Sequence, residues 1–256
     1  MPSHNQKDYT ILPFPKMRRQ IIDGLRWAGR KHMSHILLEV DVTKSRQGIR
    51  KYRERTGKGL SFTAFVIACL GKAVSEDTYL HAYRNWRNQL VLFHDVDISA
   101  MIEITVDGQK FPIDCVIRSA NKKTAHDIHQ EIKAVREMSP HSQECKTTQW
   151  FLLLPAFARD ICYWITSRCP HLVKKNCGTV AFSAVTMFMK GGFWGLGSPL
   201  NTLNVLLGGM KECPGIVNGR IEPREHLCVT VSVDHDIVDG APAMRFTKRL
   251  KNWIIV

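Results

Sequence analysis

Cys228-Val-Thr-Val-Ser-Val-Asp-His-Asp-Ile-Val-Asp-Gly-Ala241 changes character halfway along. In its first half Val229, Val231 and Val233 fall on one face at period two, the pattern of a half-buried strand. Its second half delivers an imidazole, His235, and a carboxylate, Asp239, and Asp239-Gly240 reads as a turn beyond the strand's end. The residues that follow, 241 to 253, carry Met244, Leu250 and Trp253 and read as an amphipathic helix. A histidine fixed between a rigid strand and a rigid helix suits a general base. From position alone, His235 can equally be a polar residue at a strand end and Asp239 a turn or N-cap residue.

Other segments give these positions company. Lys16-Met-Arg-Arg-Gln-Ile-Ile22 opens a helix, His35-Ile-Leu-Leu-Glu-Val-Asp-Val-Thr43 a strand, and Leu60 to Val74 a long apolar helix. Gly178-Thr-Val-Ala-Phe-Ser-Ala-Val185 reads as a further strand carrying Ser183, 52 residues before His235. Together with His235-x-x-x-Asp239-Gly240, these segments resemble the catalytic domain of the 2-oxo-acid dehydrogenase acyltransferases, lipoamide acyltransferases whose fold is shared with chloramphenicol acetyltransferase. The resemblance covers residues 12 to 253 apart from an unusual middle. It implies an α/β fold, a chloramphenicol acetyltransferase-like two-layer sandwich with a mixed sheet, with residues 1–256 as a single catalytic domain.

Length and composition agree. A chain of 256 residues can bury a sizeable core, and no Gly/Ser/Pro linker or internal repeat divides it. The eight cysteines are scattered without a Cys-x-x-Cys pair, which points away from a disulfide scaffold or a zinc site, so no metal is expected. With no basic-then-apolar leader, a cytoplasmic location with reduced cysteines is the expectation. The absence of Gly-x-Gly-x-x-Gly and Gly-x-x-x-x-Gly-Lys-Ser/Thr leaves nucleotide folds without support.

The formal charge of +13 favours anionic partners. Its densest run, Lys44 to Lys58, includes Arg46, Arg50, Lys51, Arg53, Arg55 and Lys58. Two readings stay open: the solvated face of a helix, or a surface for the phosphates of coenzyme A. Nucleic acid is disfavoured because aromatic residues are not interleaved with the basic ones. Periodicity predicts helices over 16–29, 43–55, 61–76 and 124–138, and strands over 36–42, 89–93, 97–106 and 111–117. The 147–169 segment departs most from the family. Trp150 to Ile165 is apolar but interrupted by Arg159-Asp160 and too short to span a bilayer. An extra packed helix, a subunit contact, an acyl-chain pocket and a membrane-surface helix are the open readings for it.

The resemblance implies a mechanism. His235 would take the proton of an attacking thiol, and the hydroxyl of Ser183 would donate to the oxyanion rather than act as a nucleophile. Asp239, with Arg18 as its partner, would brace the histidine loop, and Gly240 would permit the turn. The family assembles as trimers in which the histidine of one subunit faces the serine of the next, so a homotrimer, with larger assemblies built from it, is expected. Coenzyme A or acyl-CoA would be the substrate. Three departures stand out: Asp236 replaces the arginine that usually follows the histidine, Ser183-Ala-Val-Thr186 replaces Ser-Asn-Leu-Gly, and Phe111-Pro-Ile-Asp-Cys-Val116 replaces Gly-Leu-Val-Val-Pro-Val. Asp236 would either raise the imidazole's pKa or hold a cationic acceptor, unless it turns away and caps backbone. No lipoyl or subunit-binding domain is legible, so no covalently bound lipoyl group is expected. The acceptor would be a free thiol, a separate carrier protein, or a small amine or alcohol. The other class of function is a non-catalytic assembly subunit that keeps the fold.

Overall fold

The computed structural model describes residues 9–14, 18–106, 109–137, 154–186 and 191–255. In chain order these form α1 (Arg18–Ala28), β1 (Met33–Asp41), α2 (Thr43–Thr56), α3 (Phe62–Ser75), the short β2 (Tyr83–Arg84) and β3 (Leu90–Val91), β4 (Ile98–Val106) and β5 (Gln109–Ile117). After them come α4 (Ala125–Glu137), α5 (Ala156–Arg168), α6 (Pro170–Cys177), β6 (Val180–Ala184), β7 (Leu203–Val217), β8 (Arg220–Asp234) and α7 (Gly240–Ile255). Every helix and strand expected from periodicity is found, with small shifts at the ends. The expected strand over 89–93 shrinks to the two residues of β3, paired only with β2.

Six strands make one mixed sheet in the order β1-β8-β7-β6-β4-β5. The β4/β6 and β6/β7 pairs are parallel and the others antiparallel. Val229, Val231 and Val233 of β8 do lie on one face, where they pack with Val66, Ile67 and Leu70 of α3 and Phe246 and Leu250 of α7 in a single buried core. Helices on one face of a mixed sheet give the expected two-layer α/β sandwich.

Local chemistry sets the boundaries. Ser61 accepts from Ala64 N at 3.1 Å and so caps α3, starting the helix one residue later than the periodicity alone predicts. Thr124 and Asp127 exchange hydrogen bonds at the start of α4, a reciprocal cap of the same kind. Gly71 of α3 lies where a Cβ would come within 2.8 Å of the Ala120 backbone, so only glycine lets the helix pack this closely. The β7–β8 hairpin turns at Asn218-Gly219, both with positive φ (50° and 77°), the conformation this dipeptide adopts with least strain.

The first part of the unusual 147–169 segment lies outside the described residues; the rest carries α5 and ends at Cys169, just before α6. The packed-helix reading holds only in part. Arg159, on the inward face of α5, is buried, while Phe157, Ile161, Trp164 and Ile165 are exposed. Helix α1 is turned the same way, with Asp23 buried and Ile21, Ile22 and Leu25 exposed. Among the described residues, no helix is long and apolar enough to cross a membrane.

Candidate active site

Strand β8 ends at Asp234, and the chain reverses over the next five residues into α7. Backbone bonds make that reversal tight. Asp234 N donates to Thr202 O (2.8 Å), His235 N to His32 O (2.8 Å), and Ile237 N and Val238 N to Asp234 O (3.0 and 2.9 Å). Ala243 N donates to Asp239 O (3.1 Å), which starts α7, and Val238 plugs into the core. The main chain of His235 is thus fixed on both sides, while its side chain remains 48% exposed and free to meet a substrate.

Asp239 lies on the same turn, with Oδ1 4.0 Å from His235 Nδ1. That is too long for a hydrogen bond and amounts to an ion pair only when the imidazole is protonated. The expected bridge from Asp239 to Arg18 is not formed among the described residues. Arg18 is exposed at the start of α1, and Asp239 is 84% exposed at the start of α7, where a carboxylate complements the helix's positive end. Gly240 opens α7 in open space and without a positive φ, so the turn itself does not require glycine there.

A different pair braces the loop. Asp234 is buried, and its carboxylate takes Lys31 Nζ at 3.0 Å through one oxygen and Asp236 N at 3.2 Å through the other. Burial pulls the Lys31 pKa down and the Asp234 charge opposes it. Neither residue was singled out from the sequence. Asp234 continues the polar face of β8 immediately before the histidine, which is a signal of a kind; Lys31 carries none, because its role appears only when the α1–β1 turn folds against the end of β8. Asp236 is the departure that geometry resolves. Its Oδ1 lies 2.9 Å from His32 Nδ1, so its side chain is turned to the α1–β1 turn.

Ser183 stands on β6, where Val180 and Phe182 are buried in the core and Ala181 and Ser183 take the opposite, half-buried face. The register runs from Ser183 through Leu206 to Thr230. His235 lies two strands away and five residues further along, so about 10 Å across the sheet and about 17 Å along it separate the two, or roughly 19 Å in all. One chain does not bring them together. Beside this face runs the 191–197 segment: Gly209 N donates to Phe193 O at 2.8 Å and Trp194 Nε1 to Leu38 O at 3.2 Å. Gly208 and Gly209, at the bulge in β7, leave room for the segment, since a Cβ on either would collide with the carbonyls of Phe193 and Gly191. The basic run of α2 projects mostly into solvent, with Arg46 held by Glu225 at 3.0 Å.

A family model for the 2-oxoacid dehydrogenases acyltransferase (catalytic domain) matches residues 6–144 and 201–255. The match takes in Lys31 and the whole 234–240 turn and leaves out Ser183 and the unusual segment. The chain is 22% identical over 246 residues to the dihydrolipoyllysine-residue acetyltransferase component of the pyruvate dehydrogenase complex of Mycoplasma capricolum, covering 91% of this chain and 49% of that protein. It thus spans about half the length of that curated relative. Among solved structures it superposes on the dihydrolipoamide acetyltransferase of Azotobacter vinelandii with a TM-score of 0.72 at 17% identity, covering 100% of this chain and 96% of the other. The cubic core of a pyruvate dehydrogenase multienzyme complex gives 0.71 at 16% identity, over 100% and 96%. Chloramphenicol acetyltransferase gives 0.52 at 15% identity, over 91% and 94%, in agreement with the fold class expected from the sequence.

Proposed function

The chain belongs to the 2-oxoacid dehydrogenase acyltransferase catalytic-domain family, and from that premise we propose that it transfers an acyl group between coenzyme A and the thiol of a dihydrolipoyl group. One observation carries the reading. His235 has its main chain locked by the His32 carbonyl and the Asp234 turn, while its ring faces solvent where a thiol can approach. Such an imidazole takes the thiol proton as sulfur attacks the thioester carbonyl and returns it to the departing thiolate. The attacking S–C bond forms as the carbonyl π-bond opens; collapse of the tetrahedral intermediate breaks the original C–S bond.

Ser183 supplies the oxyanion donor from a neighbouring copy of the chain. The distance of roughly 19 Å within one chain, set by strand spacing and rise, excludes direct cooperation of the two residues in a monomer. A homotrimer closes the site, and larger assemblies of trimers follow the example of the cubic core that the fold matches. The serine, histidine and asparagine studied for their role in catalysis in the Azotobacter vinelandii enzyme are spaced by 52 and 4 residues, as are Ser183, His235 and Asp239, which supports the assignment. The dihydrolipoyl acceptor is favoured over an amine because Asp236 is engaged with His32, and because the curated relative is named for a dihydrolipoyllysine residue. The positive charge of the chain suits the phosphates of coenzyme A, and cytoplasmic conditions would keep the acceptor thiol reduced.

The test is thioester formation from acetyl-CoA and dihydrolipoamide by the purified protein. Transfer should be measurable, and His235→Ala should lower turnover by about 10²-fold or more with the oligomer unchanged. A well-assembled wild-type protein with no transfer activity would overturn this reading in favour of a structural subunit.

A further inference from the structure

The geometry points to Lys31 and Asp234 as a positioning pair that sets both the place and the charge environment of the His235 imidazole, an inference that rests on the role proposed above for His235. Asp234 is the residue before the histidine, and its side chain is almost fully buried, as is most of that of Lys31. A carboxylate held out of water at the base of a loop costs several kcal/mol unless it is paired. Two donors meet the carboxylate, Lys31 Nζ at 3.0 Å and the Asp236 amide at 3.2 Å, while the main-chain carbonyl of the same residue accepts from the amides of Ile237 and Val238. Side chain and carbonyl of Asp234 together fold the loop over themselves, and Lys31 is the counter-charge of the buried carboxylate.

Lys31 is itself gripped. It leaves the turn after α1, crosses to Asp234, and lies 5.7 Å above the ring of the buried Tyr83. The Tyr83 hydroxyl donates to Thr179 O at 3.0 Å and accepts from Asn201 Nδ2 at 3.0 Å. Thr179 immediately precedes β6, the strand of Ser183. Through Tyr83, then, the base of the histidine loop is tied to the root of the serine strand by contacts that do not pass through the sheet. Among the described residues, the other charged or titratable groups beside the pair and the imidazole include Asp236 and His32, which bond to each other, Tyr83 under Lys31, and Asp239, whose Oδ1 lies 4.0 Å from His235 Nδ1.

The pair has an electrostatic consequence that a merely structural contact lacks. Lys31 and Asp234 form an ion pair at the base of the loop that carries the ring, so removing either charge leaves the other unpaired next to His235 in the chain. The Lys31→Met variant exposes the imidazole to a bare carboxylate and should raise its pKa; Asp234→Asn exposes it to a bare ammonium and should lower it. The double variant removes the pair without leaving a buried unpaired charge, so it retains the fold even if Lys31→Met does not.

The measurement is the rate of His235 acylation by diethyl pyrocarbonate across pH, read peptide by peptide by mass spectrometry on the assembled protein. Because it needs no turnover, it separates failure of the pair from failure of the proposed reaction. Midpoints should move by about half a pH unit or more in opposite directions for Lys31→Met and Asp234→Asn, and return near the wild-type value in the double variant. With acetyl-CoA and dihydrolipoamide, kcat should fall about tenfold or more in the double variant while KM for acetyl-CoA changes less than about threefold, and Lys31→Arg should restore most of kcat. Midpoints that stay put or move in the same direction would overturn the electrostatic role. A double variant with wild-type kcat would overturn the positioning role.

Discussion

Arg159 of α5 donates through Nε to Oδ2 of Asp23 on α1 across 2.6 Å, with both side chains buried. A second pair, Arg26 with Asp160 at 3.2 Å, joins the same two helices at the surface. The seam between α1 and α5 is therefore ionic, and the apolar residues of both helices are turned outward. This is the reverse of the usual amphipathic arrangement. It leaves Ile21, Ile22, Leu25, Phe157, Ile161, Trp164 and Ile165 on the outside of a family member proposed to act as an oligomer.

Removing one partner of the buried pair strands the other. Arg159→Ala is expected to destabilise the protein by about 3–5 kcal/mol, because the Asp23 carboxylate is left in a desolvated site. The exposed Arg26→Ala is expected to cost no more than about 1 kcal/mol. Urea midpoints at one protein concentration, to hold assembly constant, compare the two. Equal small losses would mean that the ionic seam does not hold α5 in place.

His81 carries the clearest pH signature. It is fully buried with Nδ1 2.9 Å from Thr179 Oγ1, and burial pushes its pKa down to about 4 against an opposing bond with the Phe93 backbone, the Lys174 charge adding a smaller downward push. The unfolded imidazole titrates near its ordinary value of about 6.5. Between those values the unfolded chain binds the proton and the native state does not, so stability falls as pH drops from about 6.5 to about 4 and is fully present above that window. The loss is about 3 kcal/mol from this group. His81→Gln should flatten that stretch of a plot of stability against pH, measured by denaturant titration. A slope unchanged by the substitution would assign the acid sensitivity elsewhere.

What could be read from the sequence was what burial on one face makes periodic. The β8 valines alternate because one side of the strand meets α3 and α7, and Ser61 marks the start of α3 because a capping hydroxyl is a local device. Strand β7 and the outer half of β8 were not among the strands expected from the sequence. Residues 211–217 and 220–226 run beyond the helical layer with no fully buried face, so no apolar period appears, and Asn218-Gly219 is the only local signal. In α5, the apolar run marked an unusual segment but could not say which face turned inward; the pairing of Arg159 with Asp23, distant in sequence, decides that. The site divides in the same way. His235 and Gly240 stand where the motif put them, whereas the expected Arg18–Asp239 brace is replaced by Lys31–Asp234, a contact between two turns that only the folded sheet brings together.

Subunit mixing tests whether catalysis crosses a chain boundary. If each site takes its base from one copy and its oxyanion donor from the next, His235→Ala and Ser183→Ala trimers should each be depressed about 10²-fold or more. Trimers assembled at random from equal amounts of the two variants contain some sites where an intact His235 meets an intact Ser183. The chance is one half for each residue, so the mixture should recover about a quarter of wild-type turnover. Reassembly after dissociation, with light scattering to confirm the oligomer, provides the sample. A mixture no more active than the mean of its parents, in a confirmed trimer that exchanges subunits, would mean that His235 and Ser183 do not share a site between chains. Given the roughly 19 Å between them within one chain, it would also remove Ser183 from the reaction altogether.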